Sequence, residues 1–228
     1  MNIIVTGSNG LIGKGLCDYL ETKGYLVKGV DLIDGVDLSD EKSNDEFFRR
    51  NSKYDRLINL FAINDHVEKK QKTKQDNLLD YELDRLREYC DVNIIALFNT
   101  CRNFIRYSKS PKSIINISSL YGVRSPKHFI YDKPKDIGYT ITKHAVVGVT
   151  KHMATYFAEM NIRTNCVVPG GIINNQPQDF INRYSINTPM KRMMNKQELY
   201  PLLEFLSSDD ASYITGSIIN VDGGWCAW

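Results

Sequence analysis

The chain has 228 residues, 42% of them hydrophobic and 25% charged, with a formal net charge of +2. That length and apolar content suit one α/β core of ordinary domain size. So small a charge does not imply a nucleic-acid partner. No apolar run in the sequence approaches a spanning helix, which takes roughly 18 residues or more.

The pattern begins at once. Asn2-Ile3-Ile4-Val5-Thr6 is a β-branched apolar run of the kind that forms a buried parallel strand. Gly7-Ser8-Asn9-Gly10-Leu11-Ile12-Gly13 follows, then an amphipathic stretch from Lys14 to Lys23. Strand, glycine turn and helix in that order form the setting of a dinucleotide site, with phosphate on the helix N-terminus. Gly7 serves the tight turn, Gly10 the close approach of backbone to pyrophosphate, and Gly13 the packing of helix on strand. Asn9, Leu11 and Ile12 are counted with the same cofactor-contacting turn. A second strand, Leu26 to Val30, ends at Asp31, about eighteen residues past Gly13. An acid there accepts from the ribose hydroxyls and repels a 2′-phosphate, which favours NAD over NADP.

Further along, the spacing predicts a short helix over Glu41–Asn51 and a strand over Arg56–Phe61. A basic stretch with Lys69, Lys70, Lys72 and Lys74 reads as a solvated, mobile loop. A long helix over about Asn77–Tyr107 and a strand over Ser113–Ile117 follow, then a helix over Asp136–Met160, a strand over Arg163–Val168 and a variable loop. A helix over Lys196–Ser207 and a strand over Ser217–Val221 close the series. Such alternation predicts a doubly wound, mainly parallel sheet that binds ligands at the carboxyl ends of its strands. Gly7, Asp31, Asn59, Ser119 and Pro169 all fall at such ends.

Tyr139 and Lys143 lie four apart on the predicted 136–160 helix, hence on one face, one turn apart. An ammonium beside a phenol favours the phenolate, and a phenol so tuned can donate or accept a proton. The same spacing also occurs on ordinary solvated helices, so the pair gains meaning only with the rest.

Together these residues resemble the short-chain dehydrogenase/reductase family over nearly the whole chain. Thr6-Gly7-x-x-Gly10-x-x-Gly13 resembles its cofactor motif and Tyr139-x-x-x-Lys143 its catalytic motif. Ile114-Ile115-Asn116-Ile117-Ser118-Ser119 resembles the strand ending at its catalytic serine, which by register is Ser119, with Ser118 as the other candidate. Asn93, within Asp91-Val92-Asn93-Ile94, resembles the family's helix Asn. The stretch ending Val168-Pro169-Gly170-Gly171 resembles the sixth strand and the turn beside the nicotinamide, where Ile172 is also counted as a contact.

The resemblance implies a single-domain Rossmann fold over 1–228, with 172–194 as its substrate loop, and an NAD-dependent oxidoreductase acting on an alcohol or ketone. Tyr139 would be the general acid/base, Lys143 would lower its pKa and hold the nicotinamide ribose, and Ser119 would polarise the substrate oxygen. Asn93 would complete a proton relay through water. A homodimer or homotetramer is implied, with Ala96, Leu97, Thr100, Val146, Val147, Val149 and Thr150 on the contact helices.

Several departures shape the expectation. The glycine spacing is that of the family's extended branch, yet the chain lacks the length for that branch's substrate lobe; a nucleotide-sugar epimerase or dehydratase is therefore the alternative enzyme. Only Leu32 to Val36 separate Asp31 from Asp37-Leu38-Ser39-Asp40, which resembles the adenine-contacting segment. A parallel crossover needs a dozen residues or more, so the usual helix between the family's strands 2 and 3 is expected to be missing, its third strand vestigial or absent, and Asp37 and Leu38 to face the adenine. In Asn59-Leu60-Phe61-Ala62, Phe61 replaces a small residue and Ala62 a glycine. Either the ribose is packed differently or the site is degraded, the latter leaving a non-catalytic NAD-binding protein.

About twenty residues separate Ser119 from Tyr139, and the excess carries Arg124, Lys127, His128, Lys133 and Lys135, a cluster suited to a phosphate or carboxylate. Asn174, Asn175 and Gln176 suit a hydroxyl-rich ligand. With the Asp222-Gly223-Gly224-Trp225 end, these features resemble a bacterial branch linked to surface-glycan and flagellin modification, which implies a sugar phosphate, nucleotide sugar or polyol as substrate. Five cysteines, at 17, 90, 101, 166 and 226, lack CxxC or His-paired spacing. They read as reduced thiols of a cytoplasmic protein, with no metal site. The first strand at residue 2 leaves no room for a signal peptide. The Trp225-Cys226-Ala227-Trp228 tail is expected to pack on the core or on a partner subunit.

Overall fold

Side chains alternate faces along a strand, and in the first strand both faces are apolar. Ile3 and Val5 join one core cluster and Ile4 another. That is the demand of a central strand covered by helices on both sides. The computed structural model, which describes residues 1–64 and 77–227, meets it with six strands. These are β1 (Asn2–Thr6), β2 (Leu26–Val30), β3 (Arg56–Asn59), β4 (Ser113–Ile117), β5 (Arg163–Pro169) and β6 (Ile218–Val221). They run in the order β2-β1-β3-β4-β5-β6, every pairing parallel. The order reverses between β1 and β3, the place where sheets of this type open a ligand crevice. The basic stretch with Lys69, Lys70, Lys72 and Lys74, and Trp228, lie outside the described residues.

Seven α-helices connect the described strands: α1 (Gly13–Thr22), α2 (Glu41–Arg50), α3 (Leu83–Cys90), α4 (Leu97–Tyr107), α5 (Ile137–Tyr156), α6 (Gln178–Ile186) and α7 (Tyr200–Ser207). Leu16 and Leu20 of α1 and Leu203 and Leu206 of α7 cover Ile3, Val5 and Ile58 on one face. Phe47 and Phe48 of α2, Phe104 of α4 and Met153 of α5 cover Ile4, Leu57 and Ile114 on the other.

The long helix expected over 77–107 is instead a 3-10 turn (Leu78–Asp80), α3, a π-helical turn (Asp91–Ala96) and α4. The Lys196–Ser207 helix divides into a 3-10 turn and α7, with Pro201 at its start. Helix α6 lies inside the stretch expected to be a loop.

The missing helix and strand are absent as expected among the described residues. After β2 there is a single 3-10 turn, Leu32–Asp34, which Gly35 ends at φ +81°. Asp40 then caps α2 by accepting from Ser43 N at 2.7 Å. The sheet therefore ends at β2, whose outward Leu26 is exposed. Lys28, also on that edge, places a charge where edge-to-edge pairing would otherwise be invited. The described part of the tail packs on its own chain: Trp225 is buried and stacks on Tyr184 at 4.5 Å.

At the end of the sheet away from the crevice, two buried arginines terminate α7. Arg163 of β5 donates to Leu206 O and Ser208 O, each at 2.9 Å. Arg56 of β3 donates to Ser207 O and to Asp209 Oδ1, both through its guanidinium. These carbonyls have no partner within the helix. Replacing Arg163 with Met should lower the urea midpoint with an unchanged slope, a loss of about 2 kcal/mol.

Candidate active site

Gly7 sits at φ +64°, and a Cβ on it would meet Phe61 N at 2.7 Å. A Cβ on Gly13 would meet Gly7 O at 2.2 Å. The turn therefore closes only with glycine at both places. Directly behind it α1 begins with no side-chain cap and no acid in its first turn, so no side chain competes with an anion at its N-terminus. Gly7, Gly10, Leu11 and Ile12 line a cavity of about 950 Å3 at the carboxyl ends of the strands. A pyrophosphate fits this cradle.

Asp31, Asp37 and Leu38 line the same cavity. Asp31 accepts from Asn9 N at 3.0 Å and from Ile33 N at 3.2 Å, so both its oxygens are oriented. Asn9 does not line the cavity; its side chain donates to Asp34 at 2.9 Å, and it braces the acid instead. The Ser39 hydroxyl and N–H both donate to Asp37 and hold its carboxyl below the usual range.

Asn59 is corrected in the same way. It is buried beneath the cavity, accepting from Thr6 Oγ1 at 3.2 Å and donating to Asn116 Oδ1 at 2.9 Å. Its side chain joins strands. The altered segment after it still lines the cavity through Leu60, Phe61, Ala62 and Ile63, while Phe61 also packs against two core clusters.

The two serines after β4 have different partners. Ser118 donates to Lys143 O at 2.7 Å and ties the strand end to α5. Ser119 accepts from Tyr121 N at 3.2 Å and lines the cavity together with Tyr139 and Lys143. The buried Lys143 ammonium donates to Ile117 O at 2.9 Å and lies 5.7 Å from the centre of the Tyr139 ring.

Electrostatics differ from the sequence expectation. Burial pushes the Tyr139 phenol above its ordinary range, with the Ser119 hydrogen bond working against it. Burial also lowers Lys143 to about 8. The loss of water is the largest cause at both groups.

Asn93 lies on the π-helical turn, a form often found at functional sites. It does not line the cavity. Its amide accepts from Ile63 N at 2.7 Å and donates to Ile63 O and Thr142 Oγ1, each at 3.1 Å. It thus clamps the segment after β3 to α5, one residue before Lys143.

Pro169, Gly170 and Ile172 line the cavity at the end of β5. A bridge between Ile172 and Met194 closes the base of the 172–194 segment. Inside it α6, which the sequence reading missed, brings Phe180 and Tyr184 to the cavity beside Tyr121 and Tyr131. The signal was present: Pro177 precedes apolar residues at 180, 181 and 184, a helical spacing. Asn174 and Gln176 both line the cavity, although the Gln176 amide is spent on Asn174 N and Ile172 O within its own loop.

The basic cluster is dispersed. Arg124 donates to Cys226 O, and Lys127 donates to Asn187 and lies over the Trp225 ring. Of the five, only Lys135 lines the cavity. Of the residues named for a subunit contact, Val147 and Val149 are half-buried. Ala96, Leu97, Thr100, Val146 and Thr150 are buried within this chain, and the exposed apolar residues of that region are Ile95, Phe98 and Ile141. The five cysteines are free thiols. Among the described residues no helix is long and apolar enough to cross a membrane.

A family model described as enoyl-(acyl carrier protein) reductase matches residues 28–226. A 7alpha-hydroxysteroid dehydrogenase of Paraclostridium sordellii is 30% identical over 92% of this chain and 77% of its own length. Among solved structures, a short-chain dehydrogenase of Leptospira borgpetersenii with bound NAD+ is 28% identical, with a TM-score of 0.82 over 98% of this chain and 91% of that one. A 4-hydroxyisoleucine dehydrogenase in complex with NADH is 27% identical, with a TM-score of 0.84 over the whole of both chains.

The buried ammonium should be visible in stability. Folded, Lys143 releases its proton near pH 8; unfolded, near 10.5. Between those values the unfolded chain binds more protons, so stability rises with pH. Tyr139, raised above 10, contributes the opposite slope only above that value. From pH 8 to 10 the unfolding free energy of the wild type should therefore gain about 2 kcal/mol on that of Lys143→Met. Urea melts across that range check it, and a constant difference would contradict it.

Proposed function

The chain belongs to the short-chain dehydrogenase/reductase family, as an NAD(P)-dependent oxidoreductase acting on CH–OH or keto groups, and from that premise we propose that its cofactor is NAD and its substrate a sugar-like alcohol or ketone. The observation that carries this reading is the meeting of Ser119, Tyr139 and Lys143 in the cavity that also holds the glycine turn and Asp31. Bound NAD supplies the hydride acceptor for oxidation, and its reduced form the donor for reduction.

The remaining work falls to side chains. Tyr139 takes the proton from the substrate hydroxyl as it is oxidised, or returns one to the carbonyl oxygen as it is reduced. Ser119 donates a hydrogen bond to that same oxygen and polarises it. Lys143 favours the phenolate and is placed to hold the nicotinamide ribose. The Asn93 amide is engaged at both ends, so a water relay past Lys143 would use its main-chain carbonyl. Pro169, Gly170 and Ile172 flank the nicotinamide, and Asp31, with Asp37 and Leu38 beyond it, takes the adenosine end.

A ring bearing hydroxyls suits the far end of the cavity. Tyr131, Phe180 and Tyr184 offer flat faces, while Asn64, Asn174 and Lys135 offer polar atoms among them. Sugar phosphates, nucleotide sugars and polyols share that chemistry, and the resemblance to the glycan-modification branch points the same way. We place the enzyme in the cytoplasm as a homodimer or homotetramer, with Ile95, Phe98 and Ile141 on the contact face.

Titration calorimetry should give tighter binding of NAD(H) than of NADP(H), and Asp31→Ala should narrow the gap. A screen of sugar substrates for NADH release finds the partner molecule. With it, Tyr139→Phe should lower kcat/KM by roughly a thousandfold with NAD affinity kept. Turnover at the wild-type rate in that variant would refute the mechanism.

A further inference from the structure

The long segment between Ser119 and Tyr139 returns to the active site at one point. Lys135 lines the cavity, and its ammonium lies 4.4 Å from the centre of the Tyr139 ring, nearer than the 5.7 Å of Lys143. Its place is fixed by donation to Asn64 Oδ1 at 2.5 Å. Asn64 follows Ile63, the residue clamped by Asn93. Two cations from two separate elements therefore meet one phenol. We propose that Lys135 is a positioning residue for the reaction, a second cation that stabilises the anionic form of Tyr139 across its ring face.

The physical case starts from attraction. A cation over an aromatic face is drawn to the ring's negative quadrupole, and it is drawn more strongly to a ring that carries a full negative charge. Lys143 alone serves this purpose incompletely, since burial lowers it to about 8, and above that pH it loses its charge. Among the described residues, Tyr139 is approached by Lys143 on its own helix, Lys135 before that helix, and the Ser119 hydroxyl at the end of β4. Tyr121 and Tyr131, both raised by burial and so neutral phenols, and Glu88 of α3, which is paired with Arg85, line the same cavity. None of these supplies a positive charge to the Tyr139 ring, whereas Lys135 lies 4.4 Å from its centre.

The inference rests on Tyr139 being the acid/base, and the test separates the two. Phenolate absorbance is titrated in wild type, Lys135→Arg and Lys135→Met, each minus the same protein carrying Tyr139→Phe, so that the other tyrosines cancel. Lys135→Met should raise the Tyr139 midpoint by roughly half a pH unit to one unit, and Lys135→Arg should keep it near wild type. With substrate, the pH profile of kcat/KM should move likewise, whereas a role confined to ordering the loop would lower it equally at every pH. An unmoved midpoint in Lys135→Met, with Tyr139→Phe inactive, overturns this inference alone. Full activity in Tyr139→Phe overturns the acid/base reading and this inference with it.

Discussion

A buried ammonium at the end of a parallel sheet is the constraint around which the active site is arranged. Taking Lys143 out of water disfavours its charged form, and the fold answers with fixed partners. Ile117 O receives one of its protons, and Ser118 binds the carbonyl of the same lysine. Strand β4 and helix α5 thus cannot shift past one another without breaking both bonds. Tyr139, one turn away on α5, inherits its position from that attachment. A serine that looked like an alternative catalytic group is in fact part of the mounting.

The same economy appears on the cofactor side. Asn93 and Asn59 resemble site residues by position, yet both spend their side chains inside the protein. Asn93 fastens the segment after β3 to α5, and Asn59 joins β1, β3 and β4 through Thr6 and Asn116. Asn116 extends the chain by donating to Thr150 Oγ1, which donates to Val146 O. Buried polar groups of this kind are costly when unpaired and rigidifying when satisfied. They explain how a wide cavity is kept open between elements that would otherwise close on one another.

The sheet and the glycine turn were legible because their causes are local. A β-branched run, a left-handed glycine and a glycine too close to a carbonyl each leave a mark within a few residues. Tyr139 and Lys143 were legible because helical spacing fixes their common face. What escaped depends on contacts between segments distant in the chain. Asn59 stood at the right strand end, but which neighbour its amide would choose depended on Asn116, fifty-seven residues on. The basic loop looked like an anion site because its charges lie close together in sequence; the fold sends Arg124 and Lys127 to the C-terminal tail and α6 and only Lys135 inward. Helix α6 was hidden among amide-rich residues whose composition favours loops, although Phe180 and Tyr184 carried its period.

Loss of the family's edge strand need not loosen the adenosine end, because the turn that replaces it arranges its carboxylate from within. Asp31 is held on both oxygens by main-chain N–H groups, and Asn9, which supplies one of them, is itself tied to Asp34. In the proposed role the acid would need no reorganisation before accepting from a ribose, since its ordering has already occurred in folding. Asp34 and Asp37 follow within six residues of it. A 2′-phosphate would bring nearly two further negative charges to this carboxylate-rich turn, which follows β2 at the edge of the described sheet. If Asp31 is the ribose anchor proposed above, this carboxylate-rich turn is the feature that would weigh against a 2′-phosphate.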